Sequence, residues 1–186
     1  VGNSASHTGG GIYLHPVESI TFANYTSLYA WDYRLEDNVA AEGAAIYGDS
    51  DFDGIQESAG AAVSLGNKLY KPLPTDLGAV ACTDSRVCNT INGNLAMDAV
   101  GNPTSAILIQ DHGGFDAARF SMRNNKVAHV LRIVGDQTYS TLSECLIADN
   151  KGVDVAPPSG TQELIYVDGN DTGMTISSCT FANDLI

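Results

Sequence analysis

The sequence predicts an all-β chain whose short parallel strands wind one above another as a solenoid, and three observations predict it. Ser143-Glu144-Cys145-Leu146-Ile147-Ala148-Asp149-Asn150 lies without a gap over Ser177-Ser178-Cys179-Thr180-Phe181-Ala182-Asn183-Asp184, at an offset of 34 residues. A second series of short runs, β-branched or aromatic and bounded by Gly, Asn and Asp, recurs behind the first. No segment sustains the helical period of apolar residues, so no amphipathic helix is expected. Self-similarity at this length marks a stacked-repeat architecture.

The first series begins with Tyr33-Arg34-Leu35-Glu36-Asp37-Asn38, Asn89-Thr90-Ile91-Asn92-Gly93-Asn94 and Phe120-Ser121-Met122-Arg123-Asn124-Asn125, and ends with the two aligned segments. Each reads as a strand with alternate apolar positions that closes in a small polar corner. Asn suits that corner, because it tolerates left-handed backbone and its amide bonds to neighbouring backbone groups. Stacked Asn side chains can also bond to one another between turns. The second series is Gly10-Gly11-Ile12-Tyr13-Leu14, Gly43-Ala44-Ala45-Ile46-Tyr47, Ser105-Ala106-Ile107-Leu108-Ile109, Val130-Leu131-Arg132-Ile133-Val134 and Leu164-Ile165-Tyr166-Val167. One such unit cannot bury its apolar face alone, whereas copies stacked at roughly 4.8 Å bury a continuous core. The long gap between the corners at Asn38 and Asn94 predicts an extra turn through Gly60-Ala61-Ala62-Val63-Ser64-Leu65.

At 186 residues the chain is long enough for one domain with a real core, and residues 1–186 are read as a single domain that starts and ends within a repeat. It is therefore expected to be a piece of a longer protein. Nine Lys and Arg against 22 Asp and Glu leave a net charge of −13, a poor field for nucleic acid or anionic membranes. No apolar run is long enough for a membrane helix, so direct membrane insertion is not expected.

These frames resemble the right-handed parallel β-helix superfamily, in particular secreted and surface-exposed bacterial proteins of the polymorphic outer-membrane protein type. The resemblance rests on Gly10-Gly11-Ile12 and Gly43-Ala44-Ala45-Ile46, matching a Gly-Gly-Ala-Ile-like tetrad, and on Leu35-Glu36-Asp37-Asn38, Ile91-Asn92-Gly93-Asn94 and Ile147-Ala148-Asp149-Asn150, matching a Phe-x-x-Asn-like one. Phe is mostly replaced by Leu, Ile or Met, and Phe181 is followed three residues on by Asp184. The superfamily includes adhesins, autotransporter passengers, pectin-degrading enzymes and phage tailspikes, so the resemblance implies a fold more than an activity.

The sharpest local motif is Asp49-Ser50-Asp51-Phe52-Asp53-Gly54-Ile55-Gln56-Glu57. Alternate carboxylates, a turn glycine and a further acid suit an oxygen-coordinated Ca²⁺, with Asp49, Asp51, Asp53 and Glu57 as ligands. The twelfth position is Gly60, so an EF-hand is not expected, and the alternative is a solvated acidic loop. Cys82 and Cys88 close a segment short enough for a local disulfide, while Cys145 and Cys179 share a repeat position and would stack if their turns were adjacent. Cysteines so placed fit an oxidising compartment. The nearest approach to a catalytic cluster is Asp111, His112 and Asp116 in the glycine-containing stretch after Ile109, which also reads as an ordinary corner. Tyr13, Tyr25, Tyr29, Trp31 and Tyr33 offer rings to a sugar face or plug the core. The paired acid and Arg or Lys constellations of the pectin-degrading members do not map onto this chain. The functional expectation is an exported, non-catalytic β-helix at the bacterial cell surface or outside the cell, serving as a stalk, adhesin segment or assembly module. Its partners would be neighbouring solenoid segments or like subunits, with a polysaccharide or host-surface ligand possible. The competing expectation is a carbohydrate-active enzyme of the lyase or hydrolase type, or a carbohydrate-binding module.

Overall fold

The computed structural model describes residues 1–15, 26–30, 33–49, 60–66, 89–136, 138–152 and 163–184. Among them there is no helix, and every strand-to-strand ladder is parallel. Parallel neighbours require the chain to return to the same end before each new strand. It does so by visiting three sheets in a fixed order.

The first described strand, β1 (Ile12–Leu14), edges a five-stranded sheet. The next circuit runs through β2 (Thr26–Ala30) and β3 (Arg34–Glu36) in an eight-stranded sheet, β4 (Val39–Ala40) in a two-stranded one, and β5 (Ile46–Gly48) beside β1. A third circuit repeats this with β6 (Ala61–Leu65), β7 (Asn89–Asn92), β8 (Leu95–Ala96) and β9 (Ser105–Ile109). The fourth is β10 (Gly114–Arg123) then β11 (His129–Val134), and the fifth β12 (Tyr139–Ala148) then β13 (Ile165–Asp168). The last contributes β14 (Gly173–Ser177) and β15 (Thr180–Ala182). In β10 and β12 a left-handed residue, Arg119 (φ 55°) or Glu144 (φ 51°), bends one long strand across the sheet. Ser178 (φ 53°) takes the same role between β14 and β15.

Register puts like side chains over like. Ile12, Ile46, Ile107, Leu131 and Ile165 form one inward column, and Leu35, Ile91, Met122, Ile147 and Phe181 another. Together with Phe115, Phe120 and Leu142, the buried members of these columns make a single cluster between the sheets, against which Ile12 and Ile165 pack, while Phe181 is 45% exposed. The inward position of Tyr33, Phe120 and Cys145 is common to three circuits, and Cys179 occupies it in the last.

The corners carry a hydrogen-bonded column of amides. Left-handed residues at Asp37, Gly93, Asn124, Asp149 and Asn183 each precede the next member. Asn3 donates through N and Nδ2 to Oδ1 of Asn38, Asn38 likewise to Asn94, Asn94 to Asn125, and Asn125 to Asn150, at 2.9–3.2 Å. Asn150 ends the column by donating to Oδ1 of Asp184 at 2.8 and 2.9 Å. Asn38, Asn94, Asn125 and Asn150 are fully buried, and such buried amides persist only when satisfied. Asn94, Asn125 and Asn150 each spend the second Nδ2 hydrogen on a backbone carbonyl, that of Leu35, Ile91 or Met122. Four bonds per side chain exhaust the capacity of an amide.

One expectation is corrected here. No extra turn separates Asn38 from Asn94, because the two are bonded directly and β4 pairs with β8. The added length falls in residues 50–59 and 67–88, which lie outside the described residues, and β6 belongs to the same circuit as β7.

Candidate functional site

The five-stranded sheet has one face in the core and one outside, and the residue after each inward isoleucine or leucine points out. Register stacks Tyr13, Tyr47, Leu108, Arg132 and Tyr166 in a single outer column. Columns of aromatic and long side chains on adjacent strands are expected to pack on one another. Tyr13 and Tyr47 do so with ring centroids 5.5 Å apart, and the Arg132 guanidinium carbon lies 5.7 Å from the centre of the Tyr166 ring. The middle of the column is consequently closed: Leu108 is 1% exposed although it faces outward. Tyr13, at the free edge, keeps 49% of its surface.

Polar groups flank the column at both ends. Tyr13 donates its hydroxyl to Oδ2 of Asp49 at 2.8 Å, and His15 Nδ1 stands 3.2 Å from the same oxygen. That bond to a carboxylate, then desolvation, holds the Tyr13 hydroxyl above its ordinary pKa. Burial, reinforced by the charges of Asp49 and Glu42, pushes Tyr47 up to about 12. These phenols therefore stay protonated and serve as hydrogen-bond donors near neutral pH. At the other end His129 packs on Tyr166 with centroids 5.3 Å apart, and its Nδ1 lies 2.6 Å from the Glu163 carbonyl oxygen. Desolvation lowers the His129 pKa more than that bond raises it, and because a carbonyl oxygen can only accept, Nδ1 is the donor in the contact. The signal for this column is present in the repeat frames, where Ile-Tyr occurs at residues 12–13, 46–47 and 165–166.

Asp49 lies at the end of β5 with its Oδ2 engaged by Tyr13 and His15, while Asp51, Asp53 and Glu57 lie outside the described residues. Among the described residues no three His, Cys, Asp or Glu side chains gather as a metal site would require. Asp111 and His112 occupy the corner between β9 and β10, as expected, but Asp116 is not in that corner. It lies on β10, in register between Ser64 and Thr141. The Asp111 carboxylate serves the corner itself, accepting from the Asp136 N–H at 2.9 Å, while Asp136 accepts from N and Nδ2 of Asn170. Tyr33 plugs the interior, and burial raises its hydroxyl pKa well beyond the ordinary value. Tyr29 is exposed on the outer face of β2, whereas Tyr25 and Trp31 lie outside the described residues.

Cys145 and Cys179, 34 positions apart in the sequence, are joined across adjacent circuits with Cα atoms 4.4 Å apart. The stacked pairing is thus present among the described residues, while Cys82 and Cys88 lie outside them. Such a link fits a non-cytoplasmic setting. Among the described residues no helix is long and apolar enough to cross a membrane. Comparison with protein-family models, with curated proteins and with solved structures finds no match.

Proposed function

We propose that the chain is a module of a right-handed parallel β-helix, exported to the cell surface or beyond, and that its work is mechanical and adhesive rather than catalytic: a stalk, adhesin segment or assembly module. The observation that carries this reading is the amide column, unbroken from Asn3 to Asp184. A column of saturated buried amides beside matched apolar columns builds a stiff rod, because each circuit is fixed to the next by backbone, side chain and core at once. The covalent tie between the last two circuits adds to this and supports residence in an oxidising compartment.

The candidate carboxylates support the same reading, since the Asp111 oxygen is engaged in shaping a corner. The test is an activity assay on purified chain with polygalacturonate and with a soluble neutral β-glucan, following unsaturated products and new reducing ends. No product is expected. Turnover that disappears in a folded Asp111→Asn or Asp116→Asn variant would replace the scaffold reading with the enzymatic one.

A further inference from the structure

The eight-stranded sheet also has an outer face, and one column on it is bare where the column of the five-stranded sheet is packed. Tyr139 alternates with the buried Ser140 on β12 and so points out, with Gly114 of β10 beside it in register on one side and Gly173 of β14 on the other. Tyr47 and Leu108 likewise have a strand on both sides, yet they are 8% and 1% exposed while Tyr139 is 63% exposed. The pair of glycines makes the difference. Neither has left-handed backbone, so the path of the chain does not demand them. Among the described residues, a Cβ added at Gly173 would meet only Tyr139 ring carbons, at 3.4 and 3.6 Å, and one added at Gly114 would meet only the Tyr139 carbonyl oxygen, at 3.1 Å. Glycine weakens a strand interior, and in such a place it marks the close approach of a ligand or another backbone.

The neighbouring column is polar. Two residues further along the same strands, register carries Ser64, Asp116, Thr141 and Thr175 across β6, β10, β12 and β14 on this outer face. Thr141 and Thr175 are exposed, and Asp116 is half-buried. Ser64 is 8% exposed, and its Oγ has no hydrogen-bond partner among the described residues. We infer that this face binds a neutral saccharide chain laid along the stack, with a sugar ring on Tyr139, the chain seated over Gly114 and Gly173, and its hydroxyls bonded to Asp116, Thr141 and Thr175. This rests on the adhesive reading above and names its ligand class. A tyrosine ring offers apolar area to the C–H face of a sugar, and a carboxylate accepts several hydroxyl donors at once. Successive circuits rise by roughly 4.8 Å, close to the length of one sugar unit, so adjacent sugars meet the same column positions on successive strands. An anionic chain is repelled by Asp116 and by the net charge of −13. An extended peptide needs a free strand edge to pair with, and β10 and β12 are paired on both sides.

The experiment is isothermal titration of the full 186-residue chain with cellohexaose, mannohexaose and xylohexaose, and with a galacturonate hexamer as the charged control. At least one neutral hexamer should bind, and the charged one more weakly. Tyr139→Ala should weaken binding by roughly tenfold or more, as loss of an aromatic anchor does. Gly173→Val fills the trough and should weaken binding as much, while Tm holds or rises because valine suits a strand better than glycine. A fall in Tm in that variant would give the glycine a packing role and overturn the argument. The inference is also overturned if no neutral hexamer binds, if the galacturonate hexamer binds tighter than all of them, or if a folded Tyr139→Ala chain binds as the parent does. A parent chain that binds none of them but keeps a cooperative thermal transition leaves the scaffold reading standing, whereas cleavage of a bound hexamer would fail the non-catalytic reading and spare the binding face.

Discussion

Truncating Asn125 to alanine should be among the most costly single changes in this chain. Asn125 is fully buried, and its Oδ1 accepts from N and Nδ2 of Asn94 at 3.0 and 2.9 Å. Its Nδ2 donates to Oδ1 of Asn150 and to the Ile91 carbonyl. The losses are unequal. Asn150 Oδ1 keeps the Asn125 backbone N–H, and Asn94 Nδ2 keeps the Leu35 carbonyl. The Asn94 backbone N–H and the second Nδ2 hydrogen of Asn94 lose their acceptor outright. Each buried donor so stranded costs about 1–3 kcal/mol, so the expected destabilisation is about 4 kcal/mol. Against a domain total of about 5–15 kcal/mol that is a large share, and it corresponds to a fall in Tm of roughly 8–16 °C for a chain of this size. Urea unfolding followed by circular dichroism gives the difference directly. A loss below about 1 kcal/mol would show that the buried column adds little beyond what water supplies to the same groups, and the argument for a stiff rod would fail with it.

Asn125→Asp separates accepting from donating. The carboxylate still receives the two bonds from Asn94 but turns lone pairs toward the Ile91 and Asn150 oxygens, to which the Asn125 amide donates in the parent. Folding then favours the protonated acid, so the folded state binds more protons than the unfolded one and the variant loses stability as pH rises. Its deficit relative to the parent should shrink on acidification. Asp184 tolerates a carboxylate because it receives from Asn150 and donates to no side chain found among the described residues.

Three further outcomes follow from the geometry. Replacing Cys145 and Cys179 together by serine should lower stability by about 3.8 kcal/mol on the chain-entropy account of a 34-residue loop, read as a lower urea midpoint, and non-reducing peptide mapping should recover the pair. Asp149 is held below the usual carboxylate range by the Arg123 guanidinium, then by the Asn183 amide, so its contribution is present at neutral pH and lost as pH falls through the lowered value. The Tm gap between parent and Asp149→Asn should therefore close as pH falls through and below the usual carboxylate range, and a gap independent of pH would refute the ion-pair account. Gly135 sits at φ 100°, where an added Cβ would run into the Asp111 carboxylate, so Gly135→Ala should cost upward of about 1–3 kcal/mol, whereas Gly101→Ala, with open space around it, should cost only its backbone strain.

Legibility in the sequence tracked burial. The columns through Ile46, Ile107 and Leu131 and the corners at Asn38, Asn94, Asn125 and Asn150 were readable, because a fully buried strand or corner leaves few acceptable side chains at each place. The gapless match of residues 143–150 with 177–184 is the register of β12 with β15. The first half of β10 was not readable. Gly114-Phe115-Asp116-Ala117-Ala118 has one large apolar residue, and its Gly, Asp and Ala are poor strand formers that adopt the strand because β6 and β12 lie on either side. Asp116 was misplaced for the same reason. The paired cysteines were visible as a repeat position, but a separation of 34 residues is no guide to contact until the circuit length is known.

The outer column shows why a surface is harder to read than a core. Inward positions are held to one shape by their neighbours above and below, so Ile, Leu, Met and Phe recur there. Outward positions need only suit the next strand, and Tyr13, Tyr47, Leu108, Arg132 and Tyr166 satisfy that by ring on ring, ring on aliphatic chain and cation on ring. Their chemistry changes at every step while their packing does not. At each end the column is left with one unshared neighbour, Tyr13 at the leading edge and Tyr166 at the trailing edge. Exposure follows the same rule: Leu108, with a strand on both sides, is 1% exposed, and Tyr13, on the edge strand, is 49% exposed.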